Sequence, residues 1–199
     1  MSQTTLDSLL AAIHANDDEA AEQVVTQYTA ESAPVLDDVL ALFDADDADR
    51  RWWAVRTAAA VAPLTEGSMA RLEGPLRQRL YDADPAVRCA AALAVGHLQL
   101  TGLVDELASA LSDESGWVRS SAADALALLG EPAVPALLRV LAGTAQGART
   151  RAAYALSKIH TMEVANAFYH CLQDENRLVQ TYAYDTLEQM GLLQTILVM

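Results

Sequence analysis

The side chains able to do chemistry are few and widely spaced. Four histidines, His14, His97, His160 and His170, fall in separate segments without an H-x-x-x-H or H-x-x-E pairing. The spacing that would set two metal ligands on one helix face is therefore absent. His170 and Cys171 are neighbours, but adjacent residues of a helix point about 100° apart, which works against a shared nucleophile–base task. Cys89 and Cys171 show no C-x-x-C spacing, so neither a disulfide framework nor a zinc knuckle is indicated, and both are expected to be free and reduced. The run Asp44-Ala45-Asp46-Asp47-Ala48-Asp49 offers two ligands of a calcium loop, Asp44 and Asp46, and then fails. The third ligand position is Ala48, the turn glycine is Asp49, and position twelve is Val55 rather than Glu. No glycine-rich phosphate loop, nucleophile elbow or dinucleotide fingerprint occurs. The expectation is a protein without catalytic residues, metal or cofactor.

The elements that would position any site must be helices. Of 199 residues 52% are hydrophobic, with only 9 Gly and 6 Pro, and the abundance of Ala and Leu favours helices over many short strands. No stretch reaches the roughly 18 apolar residues of a membrane span, and Met1-Ser2-Gln3-Thr4-Thr5 carries no basic segment leading into an apolar run. A cytoplasmic protein is expected. The formal charge is −14, and residues 1–50 hold 12 acidic residues against Arg50 alone. Such a surface repels phosphate backbones and favours a partner with a basic surface.

What orders the chain is a repeat. Val87-Arg88-Cys89-Ala90-Ala91-Ala92 is echoed by Val118-Arg119-Ser120-Ser121-Ala122-Ala123 and by Val55-Arg56-Thr57-Ala58-Ala59-Ala60, with weaker copies at Ala148-Arg149 and Val179-Gln180. The second residues of these pairs, 56, 88, 119, 149 and 180, are 32, 31, 30 and 31 apart. A period of that size spans two short helices and two turns. Leu80, Leu111, Leu141 and Leu172 each stand eight residues earlier and end a first helix. Asp84, Ser115 and Asn176 stand four residues earlier, as N-caps of a second helix, and Pro85 suits the first helical position. Counting the Val as zero, offsets 0, 4, 7, 8 and 11 fall within about 100° and form the buried stripe. In the fourth unit these are Val118, Ala122, Ala125, Leu126 and Leu129. The Asp-rich run at 44–49 reads as a longer turn, with Trp52 near the stripe and Trp53 away from it.

The predicted fold is all-α, a right-handed α-solenoid of about six helical pairs in one domain over 1–199. Residues 1–33 form a divergent capping pair, 34–190 the repeats, with units near 34–64, 66–99, 102–130, 132–160 and 162–190, and 191–199 an apolar tail.

The V-R-x-x-A-A helices, the turns Leu80-Tyr81-Asp82 and Leu111-Ser112-Asp113, and Pro132-Ala133-Val134-Pro135-Ala136-Leu137-Leu138 resemble HEAT repeats, specifically the short bacterial type named after phycobilisome lyases. The resemblance covers about 34–190. It implies a ladder of turn aspartates and helix arginines between adjacent repeats, with Asp82, Asp113 and Asp174 and with Arg88 and Arg119. Gly143 and Gln180 depart from that pattern. It also implies that second helices line a concave surface, presenting offsets 2, 3 and 6. These are Cys89, Ala90 and Leu93; Ser120, Ser121 and Asp124; Thr150, Arg151 and Tyr154; and Thr181, Tyr182 and Asp185.

A non-enzymatic scaffold gripping a protein partner on this surface is the expected function. Its candidate contact residues are Trp117, Ser121, Asp124, Arg151, Tyr154, Tyr182 and Asp185, a set rich in interface residue types. The alternative implied by the resemblance is a bilin lyase or lyase subunit. Nucleic acid is disfavoured because Arg151 is the only basic residue in the concave set. The tail Leu192-Leu193-Gln194-Thr195-Ile196-Leu197-Val198-Met199 follows a helix stop at Gly191. It is expected either to fold over the last repeat in a monomer or to pair with a second copy in a homodimer.

Overall fold

The turns are what the sequence builds most explicitly. The computed structural model describes residues 2–29, 36–64 and 67–193, and among these are twelve α-helices and no strand. In chain order they pair as α1 Ser2–His14 with α2 Asp18–Thr26, α3 Leu36–Ala41 with α4 Ala48–Val61, and α5 Ser68–Arg79 with α6 Pro85–His97. Then come α7 Val104–Ala110 with α8 Gly116–Leu129, α9 Val134–Leu141 with α10 Gln146–Leu156, and α11 Met162–Cys171 with α12 Arg177–Gln189. The helices fall into two compact units, Met1–Leu100 and Thr101–Met199.

Each turn is held by a small set of polar contacts. In the third pair the Asp84 side chain accepts the amides of Ala86 and Val87, capping α6. Asp82 accepts the Asp84 amide at 2.9 Å. Arg88, six residues on, donates Nη1 back to the carbonyl of Asp82 at 2.8 Å and of Ala83 at 3.1 Å. The fourth pair repeats this with Asp113 Oδ1 accepting the Ser115 amide and Arg119 Nη1 donating to the Asp113 and Glu114 carbonyls. In the sixth, Asn176 caps α12 and Asp174 accepts the Asn176 amide. Ser115 occupies its N-cap position without its hydroxyl accepting a helix amide.

The second pair corrects the expected register. Arg51, not Arg56, donates Nη1 to the carbonyls six and five residues earlier, Ala45 and Asp46, and Asp47 caps α4 through the Arg50 amide. Arg51 is thus the counterpart of Arg88, Asp47 that of Asp84, and the buried Phe43 that of Leu80. The turn at 45–47 is no longer than the others. The V-R-x-x-A-A string at 55–60 lies five residues out of phase, which also reverses the two tryptophans: Trp53 is buried and Trp52 half-exposed. Helix α4 packs against both α2 and α6, and Trp53 lines a cleft with Asp18 and Glu22 of α2.

The apolar stripe closes the core. Val118, Ala122, Ala125, Leu126 and Leu129 of α8 are all buried, as are Ala148, Ala152, Ala155 and Leu156 of α10. In the Thr101–Met199 unit α8 packs on α10 and α10 on α12. Offset 5, which points towards the next second helix, carries fully buried Ala123 and Ala153, whereas Tyr184 at that offset of α12 is exposed. Small side chains there let neighbouring helices approach.

Arg–Asp rungs link adjacent pairs within each unit through two of the expected aspartates, Asp82 and Asp174, with the arginines Arg51 and Arg149 outside the expected set. Arg51 holds Asp82, and Arg149 holds Asp174. Arg119 has no carboxylate partner among the described residues, because the corresponding turn position is Gly143. Helix α12 ends at Gly191, whose φ of +72° suits glycine. The Leu192 amide bonds to the Leu187 carbonyl and the Gly191 amide to that of Glu188, a Schellman-type stop. Tyr169 Oη donates to the Leu192 carbonyl at 3.2 Å. Residues 194–199 of the expected apolar tail lie outside the described residues.

Candidate binding faces

In the Thr101–Met199 unit the second helices bring three expected residues together. Asp124 of α8 and Tyr154 of α10 stand at the same offset in successive repeats, and Tyr154 Oη donates to Asp124 Oδ1 at 2.9 Å. The Tyr154 and Tyr182 rings, from α10 and α12, meet edge to face at 5.9 Å and 68°. The hydrogen bond to the Asp124 carboxylate, together with burial, raises the Tyr154 phenol above its usual 10.0, and the nearby Arg151 charge opposes this. Tyr154 therefore remains a neutral donor at physiological pH. The Lys158 ammonium lies 5.5 Å from the Tyr154 ring centroid, within cation–π range. Sequence reasoning omitted Lys158, although its place four residues after Tyr154 was a helical-neighbour signal.

Trp117 is 81% exposed at the start of α8, Ser121 is half-buried, and Asp185 is exposed on α12. These three share no hydrogen bond or ring contact with the Asp124–Tyr154–Tyr182 group among the described residues. The group is a polar-aromatic array with an accessible carboxylate and cation, suited to contact rather than to bond making.

The Met1–Leu100 unit holds a groove of which the expected surface names only the α6 wall, Ala90 and Leu93. This groove of about 450 Å³ opens between α4 and α6, lined mainly by Trp52, Val55, Ala59, Ala90, Leu93 and His97. Beside it a cleft of about 400 Å³ carries Asp18, Glu22 and Asp49 with Trp52 and Trp53. With α4 in its observed register, Trp52, Trp53 and Arg56 occupy offsets 2, 3 and 6. The signal was present in the Asp47–Arg51 spacing.

Elsewhere the chemistry is quiet. Burial, reinforced by the Asp174 charge, raises the Cys171 thiol above its usual 9.0, so it is a poor nucleophile at neutral pH. No three His, Cys, Asp or Glu side chains gather as metal ligands among the described residues. No helix among them is long and apolar enough to cross a membrane.

Residues 72–157 match the family model of HEAT repeats. Among solved structures, the fold is similar to that of Escherichia coli YibA, at 17% identity and a TM-score of 0.61, covering 92% of this chain and 68% of that one. It is similar to the archaeal HEAT-like repeats protein from Thermococcus onnurineus NA1, at 16% identity and 0.57, covering 92% and 74%. A designed armadillo repeat protein in complex with the peptide (KR)4 is similar at 18% identity and 0.51, covering 90% and 97%. No curated protein matches by sequence. The fold is accordingly of the HEAT/armadillo-like helical-repeat class.

Proposed function

We propose that this protein is a non-enzymatic scaffold that binds a protein partner through the exposed faces of its second helices. The observation that carries this reading is the Asp124–Tyr154–Tyr182 array, in which three successive repeats each contribute a side chain to one polar-aromatic surface. Tyr is a hot-spot residue type because it combines a large apolar area with a polar tip and few rotatable bonds. Arg151, Ser121, Trp117 and Asp185 extend the contact surface around it. The charge of −14 favours a partner with a basic surface over a nucleic acid. A protein of similar fold that holds (KR)4 is consistent with that choice, as is a cytoplasmic setting.

The test joins two measurements on the purified chain: affinity capture from the native host, and absorbance after mixing with a bilin. A specific protein recovered with no change in the bilin spectrum supports the scaffold. A spectral shift followed by transfer of the bilin to a phycobiliprotein cysteine would replace it with the lyase reading.

A further inference from the structure

We infer that the groove between α4 and α6 in the Met1–Leu100 unit is a second recognition site, for a peptide segment carrying a Lys or Arg close to a Leu-like side chain. This rests on the scaffold reading and adds a site and a ligand chemistry to it. The argument begins with side-chain size. Ala59, Ala90 and Ala94 keep the facing walls low, so that the two packed helices leave a groove whose lining is mostly apolar, with Leu93 36% exposed and the one guanidinium in the lining, Arg56, paired with Glu22. An apolar surface of this kind is stabilised when another apolar side chain covers it.

Trp52 stands at one end of the groove and forms a wall of the acidic cleft as well. Its ring is fixed edge-on against the buried Trp53, with centroids 4.8 Å apart at 82°. A half-exposed indole held this way is a preformed platform, and indole is the best aromatic partner for a cation. The adjoining cleft supplies the opposite charge. Asp18 and Asp49 are exposed and have no cation partner among the described residues, while Glu22 is paired with Arg56. The two clefts therefore share a tryptophan, one side apolar and the other anionic. His97 adds one directional group. Its Nδ1 donates to the Leu93 carbonyl at 2.9 Å, which leaves Nε2 as an acceptor for a peptide amide.

The occupant that satisfies both sides places its cationic head against Trp52 and the Asp18 and Asp49 carboxylates, and its apolar side chain against Leu93, Ala90 and Ala59. An acidic segment is repelled at the cleft. A purely basic one leaves the groove unfilled.

The experiment measures fluorescence anisotropy of three labelled decapeptides with the full chain: one with a Lys-Lys-Ser-Leu-Leu core, one with Glu replacing Lys, and one with Ser replacing Leu. The first is expected to bind at least about tenfold more tightly than either control, and more weakly as salt rises. Trp52→Ala is expected to reduce its affinity by about tenfold or more. Asp18→Lys with Asp49→Lys, both exposed and compared at equal helix content by circular dichroism because each lies in a first helical turn, should weaken the Lys peptide and strengthen the Glu peptide. Equal binding of the Lys and Glu peptides, no charge reversal in the double-Lys variant, or no binding of any peptide up to about 1 mM would each overturn the inference. Partner capture that persists despite such a result would leave the scaffold reading standing.

Discussion

Arg51 grips Asp82 from 31 residues away, with Nε on Oδ2 at 2.9 Å and Nη2 on Oδ1 at 2.8 Å, while its Nη1 holds the carbonyls of its own turn. Asp82 in turn accepts the Asp84 amide beside the α6 cap. One ion pair therefore fastens two successive turns and the start of α6. Its side chains are 12% and 3% exposed, so it is largely removed from solvent screening.

Breaking that pair should be costly. Asp82→Ala leaves the Arg51 guanidinium desolvated without its carboxylate, and the expected loss is about 3–5 kcal/mol. Asp105→Ala removes a pair with Arg139 whose side chains are 79% and 65% exposed, and should change stability by at most about 1 kcal/mol. Urea unfolding of the two variants beside wild type checks this, and equal losses would contradict it.

The same pair has a pH signature. Burial pushes the Asp82 carboxyl up, but the Arg51 hydrogen bonds, the Asp84 amide and the charges of Arg51 and Arg79 together outweigh it and hold the group below its usual 3.8. A carboxyl depressed by folding contributes stability that is present above the unfolded value and lost as pH falls through the folded one. The stability gap between wild type and Asp82→Asn should therefore stay constant from about pH 7 to 5.5 and narrow below about pH 4. A gap that widens on acidification would contradict the assignment.

Core packing gives a third comparison. Ala122 is fully buried in the α8 stripe and Ser121 beside it is half-buried. Ala122→Phe should destabilise by about 1–3 kcal/mol through overpacking, and Ser121→Ala by less than about 0.5 kcal/mol. Equal melting temperatures would show the phase of α8 to be wrong.

Trp53→Ala checks the corrected register. Trp53 is 5% exposed, with its ring edge-on to Trp52 at 4.8 Å, and its removal should cost about 3–5 kcal/mol. A loss below about 1 kcal/mol would restore the phase set by Val55-Arg56.

Where the sequence was legible, local chemistry and period agreed. Asp84 and Asn176 announced their helices through short-range caps, and the stripe in α8 and α10 follows from spacing alone. The second pair is hard to phase from sequence because a decoy string at 55–60 matches the repeat in letters. The true anchor, Asp47 followed four residues later by Arg51, was hidden in an acidic run and required knowing which arginine turns back to its own turn. The shifted register hides the α4 wall of the groove, while its α6 wall, Ala90 and Leu93, is legible by offset. Asp124, Tyr154 and Tyr182 could be placed by offset because their helices kept phase. The rungs could not, since a sequence shows which residues can pair but not which neighbour each arginine reaches.

The most direct test of the scaffold reading is the affinity of the captured partner for Tyr154→Ala with Tyr182→Ala, compared with wild type at equal fold content by circular dichroism. The account predicts a loss of at least about 2 kcal/mol, roughly thirtyfold in Kd. Wild-type affinity in the folded double variant would contradict it.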